Sequence, residues 1–166
     1  QAFDFHTQAD SWWAASANNP ELLAPRLEGD HRAEVPIIGA GYTGLNAALG
    51  LAGRHSMDTI VLDAGQPGWG ASGRNNGQVI PNMSRLDPDA IVASVAREHG
   101  GRDKGEELVG LIRDSASLVF DLIRKHGIQA EAVQNGWIQP AHRPSRMKLA
   151  ASRVEQWGRR GAPVRM

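Results

Sequence analysis

The segment Gly39-Ala40-Gly41-Tyr42-Thr43-Gly44 has the glycine spacing of a turn that places phosphate groups at the start of a helix. Backbone N–H groups at a helix N-terminus have no partner within the helix, and the helix dipole adds a partial positive charge there. In such a turn the first glycine allows the sharp bend, the second the close approach of a phosphate, and the third close packing of helix against strand. The spacing therefore predicts a pyrophosphate site.

An acidic residue stands where the same kind of site would hold a ribose. Asp63 lies nineteen residues beyond Gly44, directly after the apolar pair Val61-Leu62. A carboxylate at the end of the second strand accepts hydrogen bonds from ribose hydroxyls and repels a 2′-phosphate. The glycines and the carboxylate together predict a dinucleotide site, and they leave open whether the dinucleotide carries a nicotinamide or a flavin.

A strand, a helix and a second strand have to position these residues. Apolar and β-branched residues predict buried strands over 35–38 and 58–62. Between Thr43 and Gly53 apolar residues recur at helical spacing, and Gly53 predicts the end of the helix. Pro36 is unusual in a central strand because it lacks a backbone donor. The order predicts a Rossmann-like βαβ unit, so the predicted fold class is α/β.

The rest of the chain is predicted to be helical with one hairpin. The Asn135-Gly136 pair lies between strand-like residues over 132–138 and is the strongest short-range signal of a β-hairpin. Helices are predicted over 87–99, 103–126 and 145–160, and a short one over 11–15. The predicted fold is thus a βαβ unit with additional helices and a β-hairpin, and it is expected to be incomplete.

Three segments together carry a resemblance to a known family. They are Gly39 through Leu45, Val61-Leu62-Asp63-Ala64, and Gly70-Ala71-Ser72-Gly73-Arg74-Asn75. The set resembles the FAD-dependent oxidoreductases of the D-amino-acid oxidase superfamily. The resemblance implies that the small residues after the acidic position pass along the extended flavin dinucleotide, where bulk would collide with the cofactor.

The resemblance also implies roles for ten residues. It places five of them around the pyrophosphate, one on the ribose and four along the cofactor. These are Gly39, Gly41, Tyr42, Thr43 and Gly44, then Asp63, then Ala71, Ser72, Arg74 and Asn75. Asn76 departs from the family, which usually has a second glycine there, and a side chain facing the flavin is expected to clash. No residue is assigned a catalytic role.

The predicted organisation has three parts. Residues 1–32 are an N-terminal arm, 33–128 the FAD-binding Rossmann-like portion, and 129–166 the start of a hairpin and helix region leading to a substrate domain. That substrate domain is expected beyond residue 166, and the first residue is Gln1 rather than methionine. We therefore expect a fragment of a longer protein.

Composition excludes several classes of function. Lysine plus arginine equals aspartate plus glutamate at 18 each, so no net field favours nucleic acid. The longest mostly apolar stretch, residues 45–53, is far below the ~20 residues of a membrane span, and we expect a cytoplasmic protein. The histidines show no metal-ligand spacing, so no metal is expected. The chain has no cysteine, and the segment that faces the flavin has no histidine, so FAD is expected to bind non-covalently.

The predicted function is that of the FAD-binding part of an oxidoreductase that acts on amines or amino acids. The resemblance implies hydride transfer from a small-molecule amine to the flavin. One alternative is an NAD-binding dehydrogenase domain, which the glycines and Asp63 allow equally. Another is a truncated, non-catalytic dinucleotide-binding chain that works only with a partner. An unfinished sheet and unpaired helix faces predict self-association through exposed apolar surface.

Overall fold

The computed structural model describes residues 12–16, 24–83 and 86–166. In chain order its elements are α1 (Trp12–Ser16), β1 (Val35–Ile38), α2 (Tyr42–His55), β2 (Thr59–Leu62), α3 (Pro88–His99), α4 (Arg102–His126) and α5 (Met147–Gly158). They belong to two compact units, Gln1–Gln78 and Val79–Met166. This division lies between the expected boundaries at residues 32 and 128, which stay predictions. The short helix expected over 11–15 corresponds to α1, and its predicted cap at Asp10 or Ser11 lies outside the described residues.

The first unit contains the strand, helix and strand that the sequence predicts. β1 and β2 pair in parallel, with Val35 opposite Thr59 and Ile38 opposite Leu62. α2 connects them and packs on the sheet where Gly44 approaches the side chain of Ile37. The predicted mixed α/β class is therefore confirmed, with a small parallel sheet.

Pro36 is accommodated because its nitrogen faces away from β2. The Val35 N–H donates to the Asp58 carbonyl at 3.1 Å, and the Gly39 N–H donates to the Leu62 carbonyl at 2.7 Å. Successive residues of a strand direct their N–H groups to opposite edges. The missing donor of Pro36 thus costs the β1–β2 pairing no hydrogen bond.

Helix α2 continues past the glycine at which the sequence predicts its end. It runs to His55, and Ser56 adopts the left-handed conformation with φ 53° and ψ 29°. The Met57 N–H, one residue further on, caps the helix by donating to the Leu51 carbonyl at 3.2 Å. Gly53 was the wrong end point because Arg54 and His55 add a basic last turn that the helix dipole favours.

The second unit is built around the crossing of α3 and α4. Ile91 and Val92 of α3 pack against Val109 and Ile112 of α4 to form its buried cluster. Gly105 allows the close approach, because a Cβ there would lie 2.7 Å from the Val92 Cα. Both helices agree with their predicted spans to within one residue.

Helix α5 is held to α3 and α4 by a network of ion pairs. The Arg160 guanidinium lies between the carboxylates of Asp89 and Glu106, at 2.8 and 2.7 Å. Arg153 pairs with Asp87 at 2.7 Å, and Arg159 also contacts Asp89. The Arg159 and Arg160 guanidiniums hold the pKa of Asp89 below its usual value, and Arg160 does the same for the pKa of Glu106. These contacts complement the apolar contact that Trp157 of α5 makes with the core.

The predicted β-hairpin does not form. Residues 128–141 contain no strand, although Gly136 has the positive φ of 94° expected for a turn. The side chains of Val133 and Ile138 are 69% and 88% exposed. A two-stranded hairpin is marginal in water without a surface to pack on, so the turn residues alone do not produce strands. The last predicted helix begins as a 3₁₀ turn over Pro144–Arg146 and continues as α5.

Candidate functional site

The glycine-rich turn, residues 39–44, connects the end of β1 to the start of α2. Gly39 has φ 102°, a conformation that side chains rarely adopt. Gly44 is buried, and a Cβ on it would lie 1.9 Å from the Gly39 carbonyl oxygen. The first and third glycines are therefore required by the turn itself and by its contact with the helix, as the spacing predicts.

Asp63 joins this turn to the end of β2. Its Oδ2 accepts a hydrogen bond from the Ala40 N–H at 2.6 Å, and its Oδ1 accepts one from the Gly65 N–H at 2.9 Å. The Ala40 amide, followed by the Gly65 amide, holds the pKa of the Asp63 carboxyl below its ordinary value, while burial acts in the opposite direction. Asp63 is therefore an ionised, exposed carboxylate beside the glycine-rich turn.

The 68–77 loop docks on the same turn. The Gly68 N–H donates to the Ala40 carbonyl at 2.9 Å, and the Ser72 Oγ accepts from the Tyr42 N–H at 3.0 Å. Asn75 adds a third link, since its Nδ2 donates to the Tyr42 Oη at 3.2 Å. The structure thus brings together two motifs that lie some thirty residues apart in the sequence.

The small residues of the 68–77 loop allow it to fold on itself. A Cβ at Gly73 would lie 2.3 Å from the Gly68 carbonyl oxygen, so the loop closes only with a glycine there. Asn75 braces the closure, because its Nδ2 donates to the Ser72 carbonyl at 2.7 Å and its Oδ1 accepts from the Gly77 N–H at 2.9 Å. Part of the small-residue pattern is therefore explained by contacts within the protein.

Arg74 is held within the loop. Its Nε donates to the Trp69 carbonyl at 2.8 Å, and its guanidinium lies 4.3 Å from the centre of the Trp69 ring. A cation over a tryptophan face is attracted by the ring quadrupole. Arg74 is thus paired with Trp69, and nothing in the sequence indicates that these two residues meet.

Asn76 occupies ordinary backbone. The described non-glycine residues with positive φ are Ser56 and Glu131, whereas Gly77 beside it has φ 69°. The Asn76 side chain turns back on the chain, where its Oδ1 accepts from the Gln78 N–H at 3.3 Å. The backbone conformation therefore does not demand a glycine at position 76.

The donors and acceptors at this turn fit a diphosphate joined to a ribose. The first four N–H groups of a helix have no partner within the helix. In α2 the Tyr42 N–H donates to the Ser72 Oγ. In the part of the chain that the structure describes, the amides of Gly41 and Thr43 have no hydrogen-bond partner. Two free donors for an anion thus lie beside the Asp63 carboxylate, which keeps lone pairs for hydroxyl groups.

Most of the ten predicted residues meet at this place. The six-residue turn, Asp63, Ser72 and Asn75 are linked by the hydrogen bonds described above. Ala71 and Arg74 take part through the loop's own bonds, where the Ala71 carbonyl accepts from the Arg74 N–H at 3.2 Å. Ala40 and Gly65 were missed, because both contribute backbone amides and no residue-type signal marks such donors.

A cleft of about 600 Å³ lies elsewhere in the first unit. Residues of the 27–33 segment line it together with Pro36, Ile60 and Leu62. Side chains alternate across a strand, and Ile37 contacts α2, so Pro36 lies on the opposite sheet face. None of the ten predicted site residues lines this cleft, which lies between the 27–33 segment and the sheet face opposite α2.

The described residues contain neither a metal-binding cluster nor a membrane-spanning helix. Over residues 12–16, 24–83 and 86–166, no group of three or more His, Asp or Glu side chains is placed to hold a metal ion. No helix within these ranges combines the length and the apolar character that a membrane span needs.

Comparison with known proteins adds an independent observation. A family model described as "FAD dependent oxidoreductase" (DAO) matches residues 34–166. The chain is 33% identical over 153 residues to gamma-glutamylputrescine oxidoreductase of Escherichia coli (strain K12), covering 91% of this chain and 33% of that protein. It is 32% identical over 154 residues to a probable oxidoreductase OrdL of Rhizobium meliloti (strain 1021), covering 92% of this chain and 34% of that protein.

The extent of these matches limits what they describe. The chain spans about a third of the length of the curated relatives that it matches. No solved structure gave a significant match. The matched region includes the glycine-rich turn, Asp63 and the 68–77 loop, all of which lie within residues 34–166.

Proposed function

Because this chain belongs to the DAO family of FAD-dependent oxidoreductases, we propose that it is the FAD-binding N-terminal part of an enzyme that oxidises amines or amino acids. The observation that supports the proposal most directly is the junction of the glycine-rich turn with an ionised Asp63. The family is FAD-dependent, which favours a flavin over the nicotinamide that the turn alone would accept equally well.

Each part of the junction has a defined role in this proposal. The free amides of Gly41 and Thr43 bind the pyrophosphate oxygens at the N-terminus of α2, where the helix dipole stabilises negative charge. The Asp63 carboxylate accepts from the ribose hydroxyls, while the Ala40 and Gly65 amides hold it in place. Its charge disfavours a dinucleotide with a 2′-phosphate.

The 68–77 loop supplies the next part of the proposed binding surface. It is anchored at Tyr42 by hydrogen bonds of the protein's own Ser72 and Asn75 side chains. When bound, FAD supplies a two-electron acceptor for hydride transfer, and the protein contributes binding, orientation and electrostatics. Because the chain has no cysteine and the proposed flavin-facing loop no histidine, the cofactor is proposed to bind non-covalently.

The substrate class is proposed from the relatives. One of them is named for the oxidation of gamma-glutamylputrescine, an amine. No residue of the present chain is assigned a catalytic role, and the matching region covers about a third of that relative. The proposed amine or amino-acid specificity therefore belongs to the whole enzyme.

The cofactor proposal is tested by the flavin absorbance that the chain retains after mixing with FAD and desalting. We expect a near-stoichiometric flavin band, and we expect Asp63→Ala to lose it, because that variant removes the ribose acceptor. Asp58→Ala is the matched control, since Asp58 is an exposed aspartate at the other end of β2 and should retain the band.

Two results would overturn the assignment. A folded chain that retains no flavin band would show that it does not bind FAD alone, and the non-catalytic alternative would then replace this proposal. Tight binding of NAD in the same assay, without retention of FAD, would favour the nicotinamide alternative.

A further inference from the structure

Gly41 is a glycine that its own backbone does not require. It has φ −89° and ψ −174°, an extended conformation open to any residue. A Cβ at this position would lie 2.9 Å from the Ser72 Oγ and 3.8 Å from the Ser72 Cβ, and no other described atom outside its neighbours comes within 4 Å. The first distance is shorter than real Cβ contacts, and the second is ordinary van der Waals contact. The Ser72 hydroxyl therefore sets the size limit at position 41.

The same hydroxyl satisfies a helix amide that would otherwise lack a partner in the protein. The Ser72 Oγ accepts from the Tyr42 N–H at 3.0 Å, as the side chain of a helix-capping residue does, but from thirty residues away. No side chain caps the helix locally, because its N-cap position is Gly41 itself. The Asn75 Nδ2 joins the Ser72 carbonyl to the Tyr42 Oη, so the loop is attached to one helical turn by two side chains.

We propose that Ser72 is a positioning residue that docks the 68–77 loop on the N-terminus of α2, and that the missing side chain of Gly41, besides admitting a phosphate, lets this hydroxyl reach the Tyr42 amide. The docking uses only hydrogen bonds between protein groups, so we expect it in the chain without FAD. Its consequence for the cofactor rests on the proposed function: the loop is fixed in advance, which lowers the ordering cost of binding. The amides of Gly41 and Thr43 are then the donors left for a phosphate.

The test is a double-mutant cycle on the full chain without cofactor, read by thermal unfolding. Gly41→Ala should lower Tm, because the new methyl group displaces the hydroxyl and leaves the Tyr42 amide unsatisfied. Ser72→Ala should lower Tm by about 2–4 °C, the usual effect of losing a cap in a chain of this size. The double variant should melt no lower than Ser72→Ala alone, because an alanine at position 41 then meets only a methyl group at ordinary contact distance.

Hydrogen exchange at the Tyr42 amide gives a readout that a general loss of stability would not imitate. Both single variants should speed exchange at this amide roughly tenfold relative to neighbouring helix amides, since its acceptor is lost or displaced. Gly53→Ala and Ser94→Ala are matched controls. A Cβ at Gly53 meets open space, and the Ser94 hydroxyl donates to the Glu98 carboxylate at 3.4 Å within α3, so neither change should alter exchange at Tyr42.

Clear outcomes overturn the docking proposal. Fully additive losses of Tm, or a Tyr42 amide whose exchange is unchanged in Ser72→Ala, would each do so. If Gly41→Ala does not fold, a double variant that folds supports the proposal. A double variant that does not fold, when Ser72→Ala alone folds, contradicts the proposal. FAD titration is a separate test. If the double-mutant cycle shows coupling between Gly41 and Ser72 but the chain does not bind FAD, the docking proposal stands and the proposed function is wrong.

Discussion

At the scale of single residues, the backbone around Asp63 matters as much as its own carboxyl group. The sequence predicts a carboxylate that faces a ribose, and the structure shows that both of its oxygens also accept backbone amides. These contacts favour the charged form, which lowers the pKa of Asp63. Asp63, at the end of β2, is therefore hydrogen-bonded to the turn that follows β1, and it keeps a negative charge for a ligand.

Asp63→Asn should lower the free energy of unfolding at pH 7 by about 1 kcal/mol, because asparagine has one acceptor oxygen in place of two and its NH2 group would face the Ala40 or the Gly65 N–H. The folded-state pKa of Asp63 is depressed, so its stabilisation is fully present above the ordinary value of 3.8 and is lost as pH falls through the lower folded value. The gap between the two proteins should therefore narrow progressively as pH falls below about 3.8. Denaturant unfolding at pH 7 and pH 3 measures it.

Asp58→Asn is the control for this pH series. It makes the same change at an exposed aspartate beside β2, and its stability should follow that of the parent chain at both pH values. A gap between parent and Asp63→Asn that stays constant down to pH 3 would show that the charge of Asp63 does not act through the two amides.

At the scale of elements, helices whose apolar faces repeat over several turns were predicted well. α3 and α4 end within one residue of their predicted limits, because their sequence patterns already contain the face that packs in the core. The hairpin over 132–138 was wrong for the opposite reason. Its turn pair does reach a positive φ at Gly136, but strand pairing needs a surface that local sequence does not reveal.

The crossing of α3 and α4 makes a prediction from two glycines of one helix. Gly105→Ala should destabilise the chain by about 2 kcal/mol, because its Cβ would lie 2.7 Å from the Val92 Cα and force the helices apart. Gly110→Ala should instead stabilise it by about 0.5–1 kcal/mol, since a Cβ there meets open space and alanine favours the helix. Chemical denaturation of the two variants compares them, and equal effects would contradict the close crossing.

At the scale of the whole molecule, the sequence predicted the family because the family's motifs are contiguous, while the cofactor contacts of the ten site residues stay a prediction. The glycine spacing, the acidic residue after β2 and the 70–75 segment are each readable in order along the chain. The pairings between them were not predictable. That Ser72 meets Tyr42, or that Arg74 lies over Trp69, follows from how separate segments fold back, which no spacing rule contains.

Exposed apolar side chains lead to the last prediction, that the chain associates with itself. On α4 the side chains of Leu111 and Leu118 are 65% and 60% exposed, and their seven-residue separation places them on one face of the helix. Covering apolar surface of this kind with a second surface lowers the free energy of the system. Sedimentation velocity over a concentration series should therefore show a reversible increase in mass.

The double change Leu111→Glu and Leu118→Glu should weaken association at least tenfold, a loss of about 1.4 kcal/mol. Ser117→Glu, at an exposed polar site on the same helix, should leave it unchanged, and a chain that is monomeric throughout would contradict the prediction.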